Sequence, residues 1–450
     1  MAGGAFRGGR MKRRLAQNCL LLCMAAVLLA LSGAAQAQDV PKFPLKPLLR
    51  DLAVTHDRIK AAEASYESSQ HMVEKAKSGW YPRLDATAEG GYEEMSKPGQ
   101  ATTEKWRNVQ GLRATQLLYD FGGTSGNIDM YSGLSGEMEA RRDQTVQDVL
   151  IRGISAYLTT IRARETLKYA IQSEDNIKRL SGMQEALVAR GAGLSYEELQ
   201  VKAQLAGSQS YRVTQERALA TAKNMFRSVF GFEPTDVQIQ GMVVPVLPKG
   251  LIPDTLDVAL DTAVKNNFAL KELESSVARA EGDLQSRKAS FYPKFQLVGE
   301  TLRKENDQGD RGLRDENRAS VLMTYNIFSG MGDMENVSAA NADVTAARKG
   351  LLDRRRTVEE NVRNAWVDLE TMRKNVELYQ NQANITWEFL GLIKKKKAMG
   401  GEVNLLDILV GERDYISAVS SRVATEIDET LAGYTLLYQM GHVSLDNVAR

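Results

Sequence analysis

The chain repeats itself at a spacing of about 210 residues, so any fold must accommodate two copies of one unit. The segment Lys77–Pro82 reads Lys-Ser-Gly-Trp-Tyr-Pro, and Lys288–Pro293 reads Lys-Ala-Ser-Phe-Tyr-Pro. Further pairs follow in the same order: Phe121 with Phe328, Ala156-Tyr157 with Ala365-Trp366, Gly191 with Gly400, Glu198 with Asp407, and Phe230-Gly231 with Met440-Gly441. Because the offset drifts by only a few residues, the sequence predicts a duplicated unit of roughly 200 residues.

Proline is absent from residues 99–233 and 294–450. Since proline inside a helix costs about 3 kcal/mol, these tracts permit long helices. Apolar residues recur at helical spacing over 123–190 and 330–399, which predicts two helices that would each reach about 100 Å. Shorter helices broken at Gly133, Gly136, Gly153 or Gly350 are the alternative.

Glycine-rich turns follow both predicted long helices and lead into return helices over 195–230 and 404–440. The segment Ser195–Glu198 has the pattern of a capping box. In the second turn, Asn404 is the predicted N-cap, with Asp407 at the third helical position. The tetrad Lys394–Lys397 precedes this turn, and we expect it to complement the dipole at the helix C-terminus, with a partner contact as the alternative.

Alternating segments between the predicted helices indicate one β-hairpin per unit, at about 82–121 and about 293–328. Strands of about ten residues cross a bilayer when they are tilted. Aromatic residues cluster at the strand ends, as expected for girdles at both interfaces of a transmembrane barrel. They are Trp80, Tyr81, Tyr119, Phe121, Phe291, Tyr292, Tyr325 and Phe328. A soluble hairpin whose aromatics pack on helices is the alternative. Four strands are too few to close a barrel, so spanning a membrane requires oligomerisation.

The N-terminus has the pattern of a secretory signal peptide. Three basic residues, Lys12 to Arg14, precede an apolar stretch over 19–31 and the small-x-small site Ala35-Gln36-Ala37. We expect cleavage after Ala37, with translation starting at Met1 or Met11. A membrane anchor is the alternative, but the apolar stretch is shorter than the roughly 20 residues that a spanning helix needs. Both cysteines, Cys19 and Cys23, lie in this segment, so the mature chain has no disulfide and no cysteine for a lipid anchor.

The predicted organisation is a signal peptide over 1–37, repeat 1 over 38–231, a linker over 232–254, repeat 2 over 255–441 and a tail over 442–450. Each repeat contains a helix, a hairpin, a long helix and a return helix.

The charge balance argues against a nucleic-acid binder, and the lack of catalytic motifs argues against an enzyme. There are 58 Lys and Arg residues against 57 Asp and Glu residues, so no basic excess would attract nucleic acid. The sequence has no Gly-x-Ser-x-Gly elbow, no phosphate-binding loop and no His-Glu-x-x-His motif. The histidines His56, His71 and His442 share no metal-ligand spacing. We therefore expect no catalytic residues, no cofactor and no metal site.

Taken together, these features resemble the TolC family of outer-membrane export channels. The resemblance rests on the signal peptide, the duplicated unit, the Tyr-Pro strand entrances, the strand exits at Tyr119–Gly123 and Tyr325–Gly330, and the glycine turns, and it covers roughly residues 40–445. It implies a mainly α fold with a membrane β-barrel. In that family three protomers share a twelve-stranded outer-membrane barrel, continued by a twelve-helix tunnel through the periplasm of the Gram-negative cell envelope.

The resemblance also implies roles for particular residues. Turn residues would contact a periplasmic adaptor protein: Gly191, Gly193, Leu194, Ser195, Gly400, Gly401 and Asn404. Asp407 falls where the family places an acidic ring at the tunnel entrance, and Glu198, its repeat mate, is a second candidate gate residue. Val410 and Val403 stand where some members have a second aspartate and a gate-locking arginine, so other contacts would hold the gate here. Alternatively, both acids only cap their helices, which contributes about 0.3–1 kcal/mol.

The function implied is a passive exit duct. Its expected partners are two further copies in a homotrimer, a periplasmic adaptor, an inner-membrane ABC transporter or other pump, and outer-membrane lipid. Because many drug-efflux members are lipoproteins and this chain lacks a lipid-accepting cysteine, we expect the type I secretion branch, and within it the members that export large adhesins. A small-molecule efflux pump and a periplasmic helical scaffold without a channel are the alternatives.

Overall fold

The computed structural model describes residues 41–99, 101–191, 193–248, 250–401 and 403–447, and the predicted signal peptide lies outside them. The first unit comprises α1 (Leu45–Thr55), α2 (Asp57–Lys77), β1 (Arg83–Met95), β2 (Thr103–Tyr119), α3 (Gly123–Ala189) and α4 (Ser195–Phe230). A short helix, α5 (Asp236–Gly241), joins the units. The second unit comprises α6 (Leu256–Asn266), α7 (Phe268–Lys288), β3 (Lys294–Glu305), β4 (Leu313–Thr324), α8 (Gly332–Ala398) and α9 (Leu405–Gln439).

Corresponding helices of the two units have nearly the same length. Helices α1 and α6 have 11 residues each, α2 and α7 have 21 each, and α3 and α8 have 67 each. The prediction of a mainly α fold built from duplicated helix–hairpin–helix units is confirmed.

The single helix expected before each hairpin is interrupted once, at the same place in both units. His56 and Asn267 have extended backbones (ψ 123° and 122°), and the side chain of each accepts a hydrogen bond from the backbone N–H two residues later. Each residue therefore ends one helix and caps the next. Asn267 is a usual N-cap and could have been recognised from the sequence, whereas His56 is not.

The long helices are continuous through their glycines, so the alternative of several shorter helices is wrong. Gly133 allows α3 to approach α7 closely, since a Cβ there would lie 2.5 Å from the backbone nitrogen of Arg279. Gly282 of α7 has the same role, because its Cβ would lie 2.4 Å from the nitrogen of Met130. These glycines are packing positions rather than breaks.

The largest apolar cluster surrounds the middle of α3, where α1, α5 and the C-terminal parts of α4 and α9 meet it. Leu49, Ile154, Phe226 and Leu437 are fully buried there. The buried hydroxyl of Tyr157 donates to the carbonyl oxygen of Phe43 at 2.7 Å and accepts the N–H of Val243 at 2.9 Å. Through these hydrogen bonds Tyr157 connects the segments before α1 and after α5 to α3.

The four strands form one antiparallel sheet in the order β1-β2-β3-β4. Strands β2 and β3 pair with each other, so the two units share a single sheet whose outer edges are β1 and β4. In the first hairpin β1 extends to Met95 and β2 begins at Thr103, so the loop between them is short. Conversely, β4 ends at Thr324 rather than at 328, and Gly330 and Met331, which both have positive φ, lead into α8.

Among the described residues, no helix combines the length and the apolar character that a bilayer span requires.

Candidate functional site: a two-faced sheet and two helical turns

The middle of one sheet face carries no charged side chain. Successive side chains of a strand point to opposite faces, and paired residues share a face. The strand register therefore assigns each strand residue to one of the two faces of the sheet. We call this side the apolar face. Its central residues are Leu84, Ala86, Ala88, Gly90, Tyr92, Trp106, Asn108, Gln110, Leu112, Ala114, Gln116, Phe295, Leu297, Gly299, Thr301, Asn317, Ala319, Val321 and Met323. Val321 is 64% exposed, so this apolar surface is uncovered within one chain. Such a band suits contact with lipid.

The opposite side of the sheet is rich in charge, and we call it the charged face. One row of paired residues, Asp85, Arg113, Glu300 and Arg318, crosses all four strands with alternating sign. Lipid would not tolerate so many charges, whereas a water-filled passage would. The two faces therefore suit two different solvents.

At the loop end of the charged face, an ion-pair network joins the two hairpins. The guanidinium of Arg107 lies 2.6 Å from Glu89 and 3.5 Å from Glu93, and it also contacts the carboxylate of Asp307. The Asp307 side chain is only 3% exposed, and the hydrogen bond from Arg107 lowers the pKa of its carboxyl group. The loop between β3 and β4 thus folds onto the charged face, where the N–H of Gly309 donates to Glu93 at 3.1 Å.

The eight predicted interface aromatics all lie at one end of the sheet, so the expectation that they form girdles at both ends is wrong. Each belongs to a strand entrance or exit, and every entrance and exit joins a helix. Phe121 links two of these segments, since its ring stacks on Tyr292 at 5.0 Å and meets Tyr119 edge-on at 4.7 Å. The opposite end carries a pair that sequence reasoning missed, Tyr92 and Trp106, whose rings lie 6.3 Å apart.

The turn between α3 and α4 is closed by glycine. Gly191 has φ +72°, and its N–H donates to the carbonyl oxygen of Val188 at 2.9 Å. The predicted capping box is wrong, because Leu194 occupies the N-cap position and no side chain in the described part of the chain caps the helix. Ser195 is already the first helical residue, so its hydroxyl is one position too late. The carboxylate of Glu198 instead pairs with Lys202 at 2.6 Å.

The turn between α8 and α9 follows the prediction. Gly400 has φ +80°, and the N–H of Gly401 donates to the carbonyl oxygen of Lys396 at 3.0 Å. The Asn404 side chain accepts the N–H of Leu406 at 2.9 Å, which confirms the predicted N-cap. Asp407 is exposed, and no other described residue forms an ion pair or hydrogen bond with its carboxylate.

The helices that flank the two turns pack against each other. Ile177 of α3, Val201 of α4 and Leu405 and Leu409 of α9 form one buried cluster. Val201 lies one turn beyond Glu198, and Leu405 is two residues before Asp407. Both candidate gate residues therefore lie at the same end of the helices, far along the chain from the sheet.

Sequence reasoning missed a buried carboxylate near the turns, that of Glu412. It lies 2.5 Å from the ammonium group of Lys394 and accepts the side-chain amide of Asn176 at 3.0 Å. Glu412 thus joins α3, α8 and α9. Lys394 was expected to complement a helix dipole or, alternatively, to contact a partner, and nothing in the local sequence pairs it with an acid 18 positions later.

Comparisons with known proteins agree with this geometry. The chain matches the family model described as "Outer membrane efflux protein" over residues 48–231 and 259–418. It is 22% identical over 341 residues to Protein CyaE of Bordetella pertussis, which covers 75% of this chain and 70% of that protein. Its structure resembles a membrane protein from Pseudomonas aeruginosa, with a TM-score of 0.77 and 18% identity over 88% of this chain and 93% of the other. It also resembles the Campylobacter jejuni CmeC outer membrane channel, with a TM-score of 0.75 and 14% identity over 88% and 85% of the two chains.

Proposed function

This chain belongs to the outer membrane efflux protein family, with the fold of the TolC-like channels, and on that premise we propose that three copies form a passive exit duct. The protein is an outer-membrane channel and not an enzyme. In the proposed assembly the duct receives its substrate from an inner-membrane transporter through a periplasmic adaptor. The observation that carries this proposal is the two-faced sheet, whose apolar face meets lipid while its charged face meets water.

The open edges of the sheet support assembly from several copies. Within one chain, β2 of the first unit pairs with β3 of the second. The repeat mates of these strands are β4 and β1, which are the two free edges. If β4 of one copy pairs with β1 of the next, every edge is satisfied, as lipid requires. Three copies would then give a closed sheet of twelve strands.

Exposed apolar side chains at the turns support a protein contact at the other end of the duct. Leu194 is 54% exposed, and Tyr196 and Met399 beside the two turns are also exposed. We assign the turn residues Gly191, Gly193, Leu194, Ser195, Gly400, Gly401 and Asn404 to the contact with the adaptor.

The exposed carboxylate of Asp407 would form a ring of three at the helical end of the duct. Such a ring favours cations. Glu198 would contribute less, because Lys202 offsets its charge.

Replacing Asp407 with asparagine is expected to lower the preference of the trimer for potassium over chloride about twofold, because the ring loses its charge. The measurement is the reversal potential of the purified trimer in planar lipid bilayers. Glu377→Gln, on the exposed surface of α8, removes an equal charge elsewhere and is the control. An unchanged selectivity would leave Asp407 with a helix-capping role only, and a monomer in the periplasmic fraction would contradict the duct itself.

For the passenger, we propose polypeptides delivered by a type I secretion system with an ABC transporter, including large surface adhesins. The support is the lack of a cysteine after the predicted signal peptide. Efflux of small toxic molecules is the second candidate, favoured by the description of the matching family.

Deleting this gene in its host separates the two candidates. For secretion, we expect a large protein to disappear from the medium or the cell surface, while susceptibility to toxic compounds stays unchanged. Restoring the gene should return that protein. A fall of inhibitory concentrations without any change in exported proteins would instead support efflux.

A further inference from the structure

The charged face carries an excess of basic side chains. The basic residues on its strands are Arg83, Lys105, Arg107, Arg113, Lys294, Lys304, Arg314 and Arg318. The acidic residues are Asp85, Glu89, Glu93, Glu300 and Glu316. The described loop residues do not change this balance, since Asp307 and Asp310 are offset by Lys97 and Arg311.

Ion pairs neutralise the acids of this face more completely than its bases. Arg83 pairs with Asp85, Arg107 with Glu89 and Glu93, and both Lys304 and Arg314 with Glu316. Among the residues that the structure describes, Glu300 is the one acid of the face without an ion pair. Four bases of the face likewise have no ion pair with any described residue: Lys105, Arg113, Lys294 and Arg318. The charge left over on the face is therefore positive.

We infer that the charged face is a basic wall that selects for anionic passengers, with Arg113 and Arg318 as its specificity-determining residues. The inference rests on the proposed duct and adds the class of substrate to it. Three copies would triple the excess charge, and a narrow aqueous passage with low-dielectric walls focuses such a field. The two ends of the duct then differ in sign, since the Asp407 ring favours cations and the sheet favours anions.

Arg113 and Arg318 matter most because of the row in which they lie. Arg113 stands between Asp85 and Glu300, and Arg318 stands on the other side of Glu300. With both arginines replaced by glutamine, the two acids are the charges that remain in this row. The row would change from balanced to acidic, so the double variant alters both the amount and the sign of the local charge.

The test compares the reversal potentials of wild-type trimers and of the double variant Arg113→Gln/Arg318→Gln in planar bilayers. The probe is a KCl gradient centred near 0.1 M, where the Debye length is about 10 Å and charges on the wall act across much of the passage. We expect the ratio of chloride to potassium permeability to fall at least about twofold in the double variant. Asp407→Asn should move the same ratio in the opposite direction.

Arg303→Gln is the matched control. Arg303 lies on β3 next to Lys304, but on the opposite side of the sheet at its loop end, so its replacement removes one positive charge from outside the passage, against two from inside in the double variant. An unchanged ratio in this control, with a lower ratio in the double variant, supports the inference. An unchanged ratio in a conducting double variant overturns it, as does an equal shift in the control. Lack of conductance in every trimer, the wild type included, contradicts the duct itself, so the two failures are distinguishable.

Discussion

Replacing Val321 with arginine is expected to abolish assembly in the outer membrane, whereas the same replacement at the neighbouring Leu322 is expected to be tolerated. Val321 lies in the uncharged band of the apolar face, paired with Leu297. An arginine that faces lipid costs about 2–4 kcal/mol at the bilayer midplane and less toward the interfaces, and a trimer would incur the cost at three positions. Leu322 is paired with Gln296 on the charged face, where an added arginine remains in water.

The measurement is the amount of trimer in isolated outer membranes. We expect at least a tenfold loss for Val321→Arg and near wild-type amounts for Leu322→Arg. Because the two residues are adjacent in one strand, both variants add the same charge at nearly the same position. Equal tolerance of both would contradict the contact of the apolar face with lipid, and equal loss would show that β4 tolerates no arginine on either side.

The second large effect is a covalent trimer formed by two introduced cysteines, Ser68→Cys and Ala342→Cys. Within one chain, α3 and α7 touch at Gly133 and Arg279, where a Cβ on the glycine would lie 2.8 Å from the Cβ of the arginine. Helices α3 and α8 begin 209 positions apart, and α2 and α7 begin 211 positions apart. The repeat mates of the contact are therefore Ala342 on α8 and Ser68 on α2.

Both mates are exposed in the single chain, as expected for residues that meet across copies. If α8 of one copy packs on α2 of the next as α3 packs on α7, the two thiols lie close enough to form a disulfide, which needs a Cβ separation of about 3.8 Å. Oxidation should then shift the chain on a denaturing gel to three times its mass, and reduction should reverse the shift. The mature chain has no other cysteine once residues 1–37 are removed.

Ser68→Cys combined with Val367→Cys is the control, because 25 residues of helix place the second thiol about 37 Å further along α8. This pair should stay monomeric on the gel. A disulfide confined to one chain, or equal cross-linking by both pairs, would contradict the packing between copies.

The repeat explains how much of the fold could be predicted from the sequence. The Tyr-Pro entrances and the glycine turns recur at nearly constant offsets, so the order of helices and strands could be predicted from them. Contacts between residues that are distant in the sequence could not be predicted. Nothing near Arg107 in the sequence indicates that it would contact Asp307, 200 positions away.

The candidate site was predictable only where local chemistry decides it. Asn404 was identified because an N-cap is a local hydrogen bond. Ser195 was misassigned because one more residue, Leu194, keeps an extended backbone before the helix starts, and the sequence pattern does not reveal such a shift. Glu412 was missed because its burial depends on three helices that are distant in sequence.

The open edges of the sheet have a consequence for how the protein is made. A newly exported chain would present two unpaired strand edges and an uncovered apolar face to water, which is a template for aggregation. The helices have no unpaired strand edges, because they satisfy their own backbone hydrogen bonds. We therefore expect the helical halves of three chains to associate first and to bring the hairpins together, so that the sheet closes only as it enters lipid. Biogenesis would then proceed from the periplasm outward.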